Sequence, residues 1–303
     1  MKTTLITGGL GFIGSNICEL LLKQKYTEKC ILVDNFGGYM NPVKDGFIDF
    51  RKQRFSSLKN IIIERCDTSN YKALSLILNR YKPNYIYHTA ALPLAKVSNL
   101  NNEEAKISSV DSTINIIDAI NFIKNSNKRF KFDRFIYFSS SMVYGDFKKS
   151  VVNENSEKNP KDAYGIMKLA GEVVTEGLCK LHNIPYTIIR PSAVYGPKDM
   201  NRRVSQIFIE SAFQDKEIYI QGKNEKLDFT YIKDLANGSI LAARSKKGIN
   251  EIFNITCGKG QTLLSYVIYL KKKFPNIKYV VKARDKAKPS RGTLSINKAR
   301  RLL

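Results

Sequence analysis

Short apolar runs rich in Ile, Val, Tyr and Phe alternate along the chain with longer stretches whose apolar positions recur at helical spacing. The runs at Thr3–Thr7, Ile31–Val33, Ile61–Glu64, Tyr85–His88, Phe135–Ser139 and Thr187–Arg190 predict strands. Between them, Ile13–Leu22, Ala73–Tyr81, Thr113–Ile123 and Tyr164–Leu181 predict helices. Strand–helix alternation of this kind predicts an α/β fold with a doubly wound parallel sheet covered on both faces. From about Tyr195 the alternation weakens into shorter mixed elements. The expected division is a first domain over residues 1–194 and a smaller C-terminal α/β lobe over 195–303. Phe36–Asn60, rich in Gly, Asn and charge, reads as a surface excursion after the second strand. Lys271–Lys288 reads as a solvated helix end and loop. The sequence has no internal repeat and no low-complexity run.

Composition narrows the class of protein. No stretch approaches the roughly eighteen uncharged apolar residues of a membrane span. The start runs directly into the first strand and leaves no room for a signal peptide. Five scattered cysteines without a CxxC pair argue against disulfide or zinc frameworks, so a cytoplasmic protein without metal is expected. The formal charge of +23 invites a nucleic-acid reading, but its lysines are spread over the chain with no arginine-rich block. A generally Lys- and Asn-rich composition accounts for it, and no specific nucleic acid is expected as a partner. The same charge would attract substrates that carry phosphates.

The strongest chemical signal follows the first strand, in Thr7-Gly8-Gly9-Leu10-Gly11-Phe12-Ile13-Gly14. Early glycines permit a tight turn, Gly11 lets backbone approach a pyrophosphate, and Gly14 lets the helix lie close to the strand. The helix start, Phe12 and Ile13, then offers unpaired N–H groups and a positive dipole end to phosphates. Asp34, with Asn35 after it, ends the second strand twenty residues beyond Gly14, where a carboxylate would bind ribose hydroxyls and repel a 2′-phosphate. The pattern therefore points to a Rossmann-type site for NAD rather than NADP. After the third strand, Asp67 and Thr68 lie where Asp67 would reach the adenine amino group, although Asp there is also a common helix cap.

Tyr164 and Lys168 stand four apart on a predicted helix and so share one face. An ammonium beside a phenol favours the phenolate and lets the tyrosine serve as acid/base. They follow the hydroxyl-rich strand end Ser139-Ser140-Ser141, the kind of position where ligands sit in such sheets.

Taken in order, Thr7–Gly14, Val33–Phe36, His88–Ala91, Ser139–Gly145, Tyr164–Lys168 and Arg190–Pro197 resemble the extended short-chain dehydrogenase/reductases, the NAD-dependent epimerase/dehydratase group, over essentially the whole chain. The resemblance implies an NAD-dependent enzyme acting on a nucleotide-activated sugar, usually at C4, with a place in polysaccharide biosynthesis. It implies Tyr164 as acid/base, Lys168 as ligand of the nicotinamide ribose, and Ser140 as the catalytic hydroxyl with Ser141 beside it. Ala90 and Ala91 would line the cofactor and Pro191 would border the nicotinamide. His88 reads as a packed strand residue rather than a catalyst. A homodimer built on the helices Thr113–Ile123 and Tyr164–Leu181 is also implied, although their apolar faces would equally suit the core.

Departures from the family pattern shape the expected chemistry. Ser141 and Met142 occupy the positions where dehydratases of the group carry Asp-Glu, so elimination of water is disfavoured. Neither supplies the Cys/His pair of the 3,5-epimerases, and His182 follows a remote helix. A sugar-nucleotide 4-epimerase is the leading reading; a 4-dehydrogenase or ketoreductase comes next, then a 4,6-dehydratase, then a non-catalytic cofactor-binding protein. Ala193, Leu227 and Ser109 replace family residues (Asn, Arg and Asn) that face substrate or the helix after the fourth strand. Arg202, Arg203 and Arg291 are the candidates to hold the substrate pyrophosphate in their place, because a guanidinium fork matches phosphate oxygens. Leu303 falls in what resembles the penultimate helix of the family.

Overall fold

Successive strand residues point to opposite faces, so a strand covered on both sides must be apolar along its length. In the computed structural model, which describes residues 2–37, 55, 58–92, 101–199, 203–286 and 288–303, seven strands, the inner ones largely buried along their length, form one sheet. They are β1 (Thr3–Thr7), β2 (Lys29–Asp34), β3 (Ile61–Arg65), β4 (Tyr85–His88), β5 (Arg134–Phe138), β6 (Tyr186–Arg190) and β7 (Glu251–Asn254). Every pairing is parallel, in the order β7-β6-β5-β4-β1-β2-β3.

Adjacent residues split cleanly between two cores. Ile6, Leu32, Tyr87, Ile136 and Ile189 face one side, with Ile17 and Leu21 of helix α1 (Phe12–Lys23). Leu5, Ile31, Ile86, Phe135 and Ile188 face the other. There they meet α2 (Tyr71–Tyr81), α3 (Ser112–Ser126) and Cys179 of α4 (Ala163–Leu181). Each fully buried side chain of this size contributes about 1.5–3 kcal/mol, so the two faces hold the layers together. The α/β doubly wound reading holds, and the predicted strands and helices are present with ends moved by at most three residues.

The chain crosses over between β1 and β4, which are neighbours although β2 and β3 lie between them in sequence. That reversal opens a crevice at the carboxyl ends of the two strands, the usual ligand position in such sheets. β7 and helix α6 (Ile232–Arg244) follow Tyr195 in the chain, yet β7 joins the sheet and α6 packs Leu235 and Ile240 into the first core. The remaining C-terminal elements, α5 (Val204–Phe213) and α7 (Leu263–Lys271) among them, enclose a separate core of Phe208, Ile218, Ile220, Val267 and Leu270. Lys271–Lys288 is not only helix end and loop. Tyr279–Lys282 is an exposed strand paired with Ile218–Gln221. Most of Phe36–Asn60 lies outside the described residues. No helix among the described residues is long and apolar enough to cross a membrane.

After β6 the chain turns at Ala193 with φ of +36°, a left-handed conformation that costs a residue with a Cβ about 1–2 kcal/mol. Ala193→Gly is therefore expected to raise unfolding stability by about 0.5–1 kcal/mol, allowing for the extra freedom of glycine in the unfolded chain. A higher urea midpoint at unchanged slope is the expected result; a lower one would contradict strain at this turn.

Candidate active site

The glycine turn forms because β1 must pass directly into α1. Gly8 has φ of +63°, and a Cβ there would lie 2.8 Å from the Ala90 nitrogen. On Gly14 a Cβ would lie 2.5 Å from the Gly8 oxygen, so the first turn of α1 rests on the loop itself. At Gly11 a Cβ would meet only Gly8 backbone and otherwise open space. First-turn amides such as those of Phe12 and Ile13 have no carbonyl one turn earlier to bond. Gly8 is bonded to the Val33 carbonyl, and the Asp34 carboxylate accepts from the Leu10 and Phe36 amides at 3.1 and 2.9 Å, which ties the end of β2 to the turn.

Beyond Asp34 a cavity of about 480 Å³ is lined by Asn35, Arg65, Cys66, Asp67, Asn70 and Ala73. Asp67 accepts from Asn35 at 2.9 Å and from both the amide and hydroxyl of Ser69. Burial opposes the Asp67 charge, and these hydrogen bonds outweigh it, holding the carboxyl below its ordinary range. Thr68 is buried beside it. The open backbone at Gly11, the carboxylate of Asp34 at the end of β2 and the polar recess beyond it fit a group of the kind of NAD. Arg65, Asn70 and Ala73 were not predicted; with Arg65 over the Phe36 ring at 5.9 Å, they are generic surface residues in sequence and only the cavity marks them.

The second cluster lies at the ends of β5 and β6. Ser139 and Ser141 donate their amides to Ile189 and Pro191 at 2.8 and 2.9 Å, so the serine turn hangs on the end of β6. Ser140 caps the short 3-10 helix Ser141–Tyr144, accepting from the Met142 amide at 3.2 Å. Tyr164 stands in the first turn of α4, capped by Asp162 on the Gly165 amide at 2.7 Å, with the Ser140 hydroxyl close enough to its phenol to favour the phenolate. Lys168, one turn on, donates to the Phe138 carbonyl at 2.8 Å, with its nitrogen 5.9 Å from the Tyr164 ring centre.

The electrostatics differ from the expected ones. Burial dominates at Tyr164 and raises its phenol above the ordinary value; Arg203 and the Ser140 hydroxyl pull the other way, and Asp162 adds to the rise. The lowering expected from Lys168 is absent, because its ammonium loses its charge below the pH at which the raised phenol ionises. Burial brings Lys168 itself down to about 7, against a lift from Glu172. Arg203 and Arg291 feel each other: burial lowers Arg291 to about 10, Asp162 and Glu225 oppose that, and Arg203 reinforces it. Arg203 also has a buried Nε without a partner. Arg202 lies outside the described residues.

Ala90 and Ala91 follow β4 beside Gly8, where the Ala90 amide reaches the Thr7 hydroxyl at 3.4 Å. His88 is 1% exposed, with Thr7 and Ser112 hydroxyls on its two ring nitrogens at 2.7 and 3.2 Å. Among the described residues no group of His, Cys, Asp and Glu could hold a metal ion.

A nucleotide turn on β1 facing a Ser–Tyr–Lys cluster on β5 and α4 defines the class: a Rossmann-type enzyme that uses a dinucleotide. The chain belongs to the NAD dependent epimerase/dehydratase family, whose model matches residues 4–256. It is 29% identical to an uncharacterized UDP-glucose epimerase of Bacillus subtilis (strain 168), covering 99% of this chain and 91% of that protein. It is 27% identical to a UDP-glucuronate 4-epimerase of Thermodesulfobacterium geofontis (strain OPF15), covering 87% and 78%. Among solved structures, the UDP-glucuronic acid 4-epimerase of Bacillus cereus, in complex with UDP-glucuronic acid and NAD, matches with a TM-score of 0.85 at 29% identity, over 99% of this chain and 92% of that one.

The state of His88 sets an acid limit on stability. Burial, then Lys168, lowers its folded pKa from 6.5 to about 3, so between those values the unfolded chain binds a proton that the folded one refuses. Stability falls as pH drops through this window, by up to about 1.4 kcal/mol per unit. His88→Gln is expected to lack that component in urea titrations from pH 7 to 4; an unchanged slope would contradict it.

Proposed function

We propose that this protein is an NAD-dependent sugar-nucleotide 4-epimerase in which Tyr164 is the acid/base. The observation that carries the reading is the joining of Ser140, Tyr164 and Lys168 at the carboxyl ends of the strands, with Ser141 and Met142 in place of any acid beside Ser140. The named substrates of the relatives, UDP-glucose and UDP-glucuronic acid, support a sugar nucleotide as the substrate class.

When bound, NAD would supply the acceptor and donor of a hydride for C4 of the sugar. Gly8, Gly11, Gly14, Phe12 and Ile13 hold the pyrophosphate, Asp34 and Asn35 the adenosine ribose, and Asp67 and Thr68 the adenine. Ala90, Ala91 and Pro191 border the remainder, and Lys168 binds the second ribose. Tyr164 takes the C4 hydroxyl proton while Ser140 shares the bond and keeps the phenol oriented. Inversion then requires the keto sugar to present its other face before Tyr164 gives the proton back. With the Tyr164 phenol raised by burial, Arg203 and Ser140 are the groups that make its ionisation accessible. Arg203 and Arg291 compensate the substrate pyrophosphate, with Ser141 beside the sugar.

Two further features belong to this reading. Phe122 on α3 and Val173 on α4 are 57% and 66% exposed, as a homodimer face built on those helices needs. All five cysteines are free, which fits a reducing cytoplasm. A role in supplying polysaccharide precursors follows from the substrate class.

Purified protein incubated with UDP-, GDP-, CDP- and dTDP-sugars is expected to yield a C4-inverted product by NMR with no net absorbance gain at 340 nm. A 4-keto product with lasting absorbance would instead establish a dehydrogenase. Tyr164→Phe should reduce turnover by at least about a thousandfold while NAD binding changes little. Undiminished turnover would remove Tyr164 from the mechanism.

A further inference from the structure

Behind the Ser–Tyr–Lys cluster lies a polar assembly with no access to solvent. Glu172 is 2% exposed, one turn beyond Lys168 on α4, so Tyr164, Lys168 and Glu172 share a helix face. Its carboxylate accepts the Ser139 hydroxyl and two bonds from Arg190, Nε to Oε1 at 2.8 Å and Nη2 to Oε2 at 2.6 Å. Arg190 is wholly buried at the end of β6, and its Nη1 donates to Tyr144 at 2.9 Å and to the Glu154 carbonyl at 3.0 Å. Tyr144 donates in turn to Asn254 of β7 at 2.8 Å.

Two facts set this assembly apart from a pair that only fills the core. Ser139 adjoins Ser140, and the amides of Ser139 and Ser141 bracket Arg190 by bonding to Ile189 and Pro191. The serine turn is therefore fixed to β6 through its backbone and to α4 through the Ser139 bond to Glu172. Replacing a buried ion pair with apolar groups can be neutral or stabilising, so stability alone gives little reason for one here.

We propose that Glu172 is a positioning residue for the reaction, locking the Ser139–Ser141 turn to the helix that carries Tyr164 and Lys168. The inference rests on the proposed roles of those residues. Glu172 also supplies a negative charge that acts on Lys168. The other groups around that ammonium are Tyr164 on its own helix, the Tyr137 ring at 5.2 Å and Phe138 carbonyl on β5, and His88 on β4. Arg190 lies behind Glu172 on β6. Of these, Glu172 opposes the effect of burial on Lys168, and its loss would let the ammonium deprotonate at lower pH.

The test compares kcat, KM and pH profiles of the NAD-loaded protein on the sugar nucleotide it turns over. Glu172→Gln is expected to lower kcat at least about tenfold with KM within about twofold. Its alkaline limb should move about one pH unit toward acid. Ser139→Ala, which leaves the ion pair intact, should lower kcat without moving that limb. Unchanged kcat in Ser139→Ala, or Glu172→Gln with full kcat and an unshifted profile, would overturn the proposal. If Glu172→Gln does not fold, Ser139→Ala decides alone. Tyr164→Phe in parallel separates the two claims: if that variant keeps its activity, the underlying reading fails, whereas its inactivity beside silent Glu172 and Ser139 variants defeats only this inference.

Discussion

Arg190 and Glu172 form a fully buried ion pair, and the catalytic end of the sheet is arranged around it. Burying two charges costs several kcal/mol per ion unless nearly every donor and acceptor finds a partner. Here the carboxylate accepts three bonds, and the guanidinium reaches Glu172, Tyr144 and the Glu154 carbonyl. Meeting that demand forces strands β6 and β7, helix α4 and the serine turn into one relative placement. The Ser139 hydroxyl, next to Ser140, is bonded directly into it. The N-terminal site is organised differently, by steric closeness: Gly8 and Gly14 permit contacts that any side chain would block. One site is held by charge and the other by the absence of Cβ atoms, and β1 to β5 carry both on a shared frame.

Much of this was legible in the sequence, for identifiable reasons. Buried parallel strands favour β-branched and aromatic residues, so Thr3–Thr7 and Tyr85–His88 stand out at their observed limits. The glycine turn is readable because backbone geometry there admits almost no other residue. Tyr164 and Lys168 are readable because helix spacing places them together. β7 was missed: Glu251–Asn254 has four residues, two of them polar, and Asn254 is buried with its polar groups bonded to Tyr144, Glu154 and the Ser295 carbonyl. Glu172 was missed too, since a glutamate within a helix ordinarily faces water. Its partner lies eighteen residues away on another element, and no local pattern links them.

The pKa relation between Tyr164 and Lys168 shows where spacing stops being informative. Helix periodicity puts the two side chains on one face but does not say where an ammonium will point. The Phe138 carbonyl takes it at 2.8 Å, and the influences that favour the phenolate come from Ser140 and from Arg203 at the start of α5. The two influences thus come from either side of Tyr195 in the chain. The charge of +23 has a local counterpart here, because Arg203 and Arg291 meet where an anionic substrate would lie against Tyr164.

The central claim is reversible hydride chemistry at one carbon without elimination. It is tested most directly by supplying a turned-over sugar nucleotide deuterated at C4 and, separately, by running the unlabelled substrate in deuterated water. The account predicts a C4-inverted product that keeps its deuterium in the first case and gains none at C3, C4 or C5 in the second. Loss of the C4 label, or solvent deuterium at C3 or C5, would contradict it.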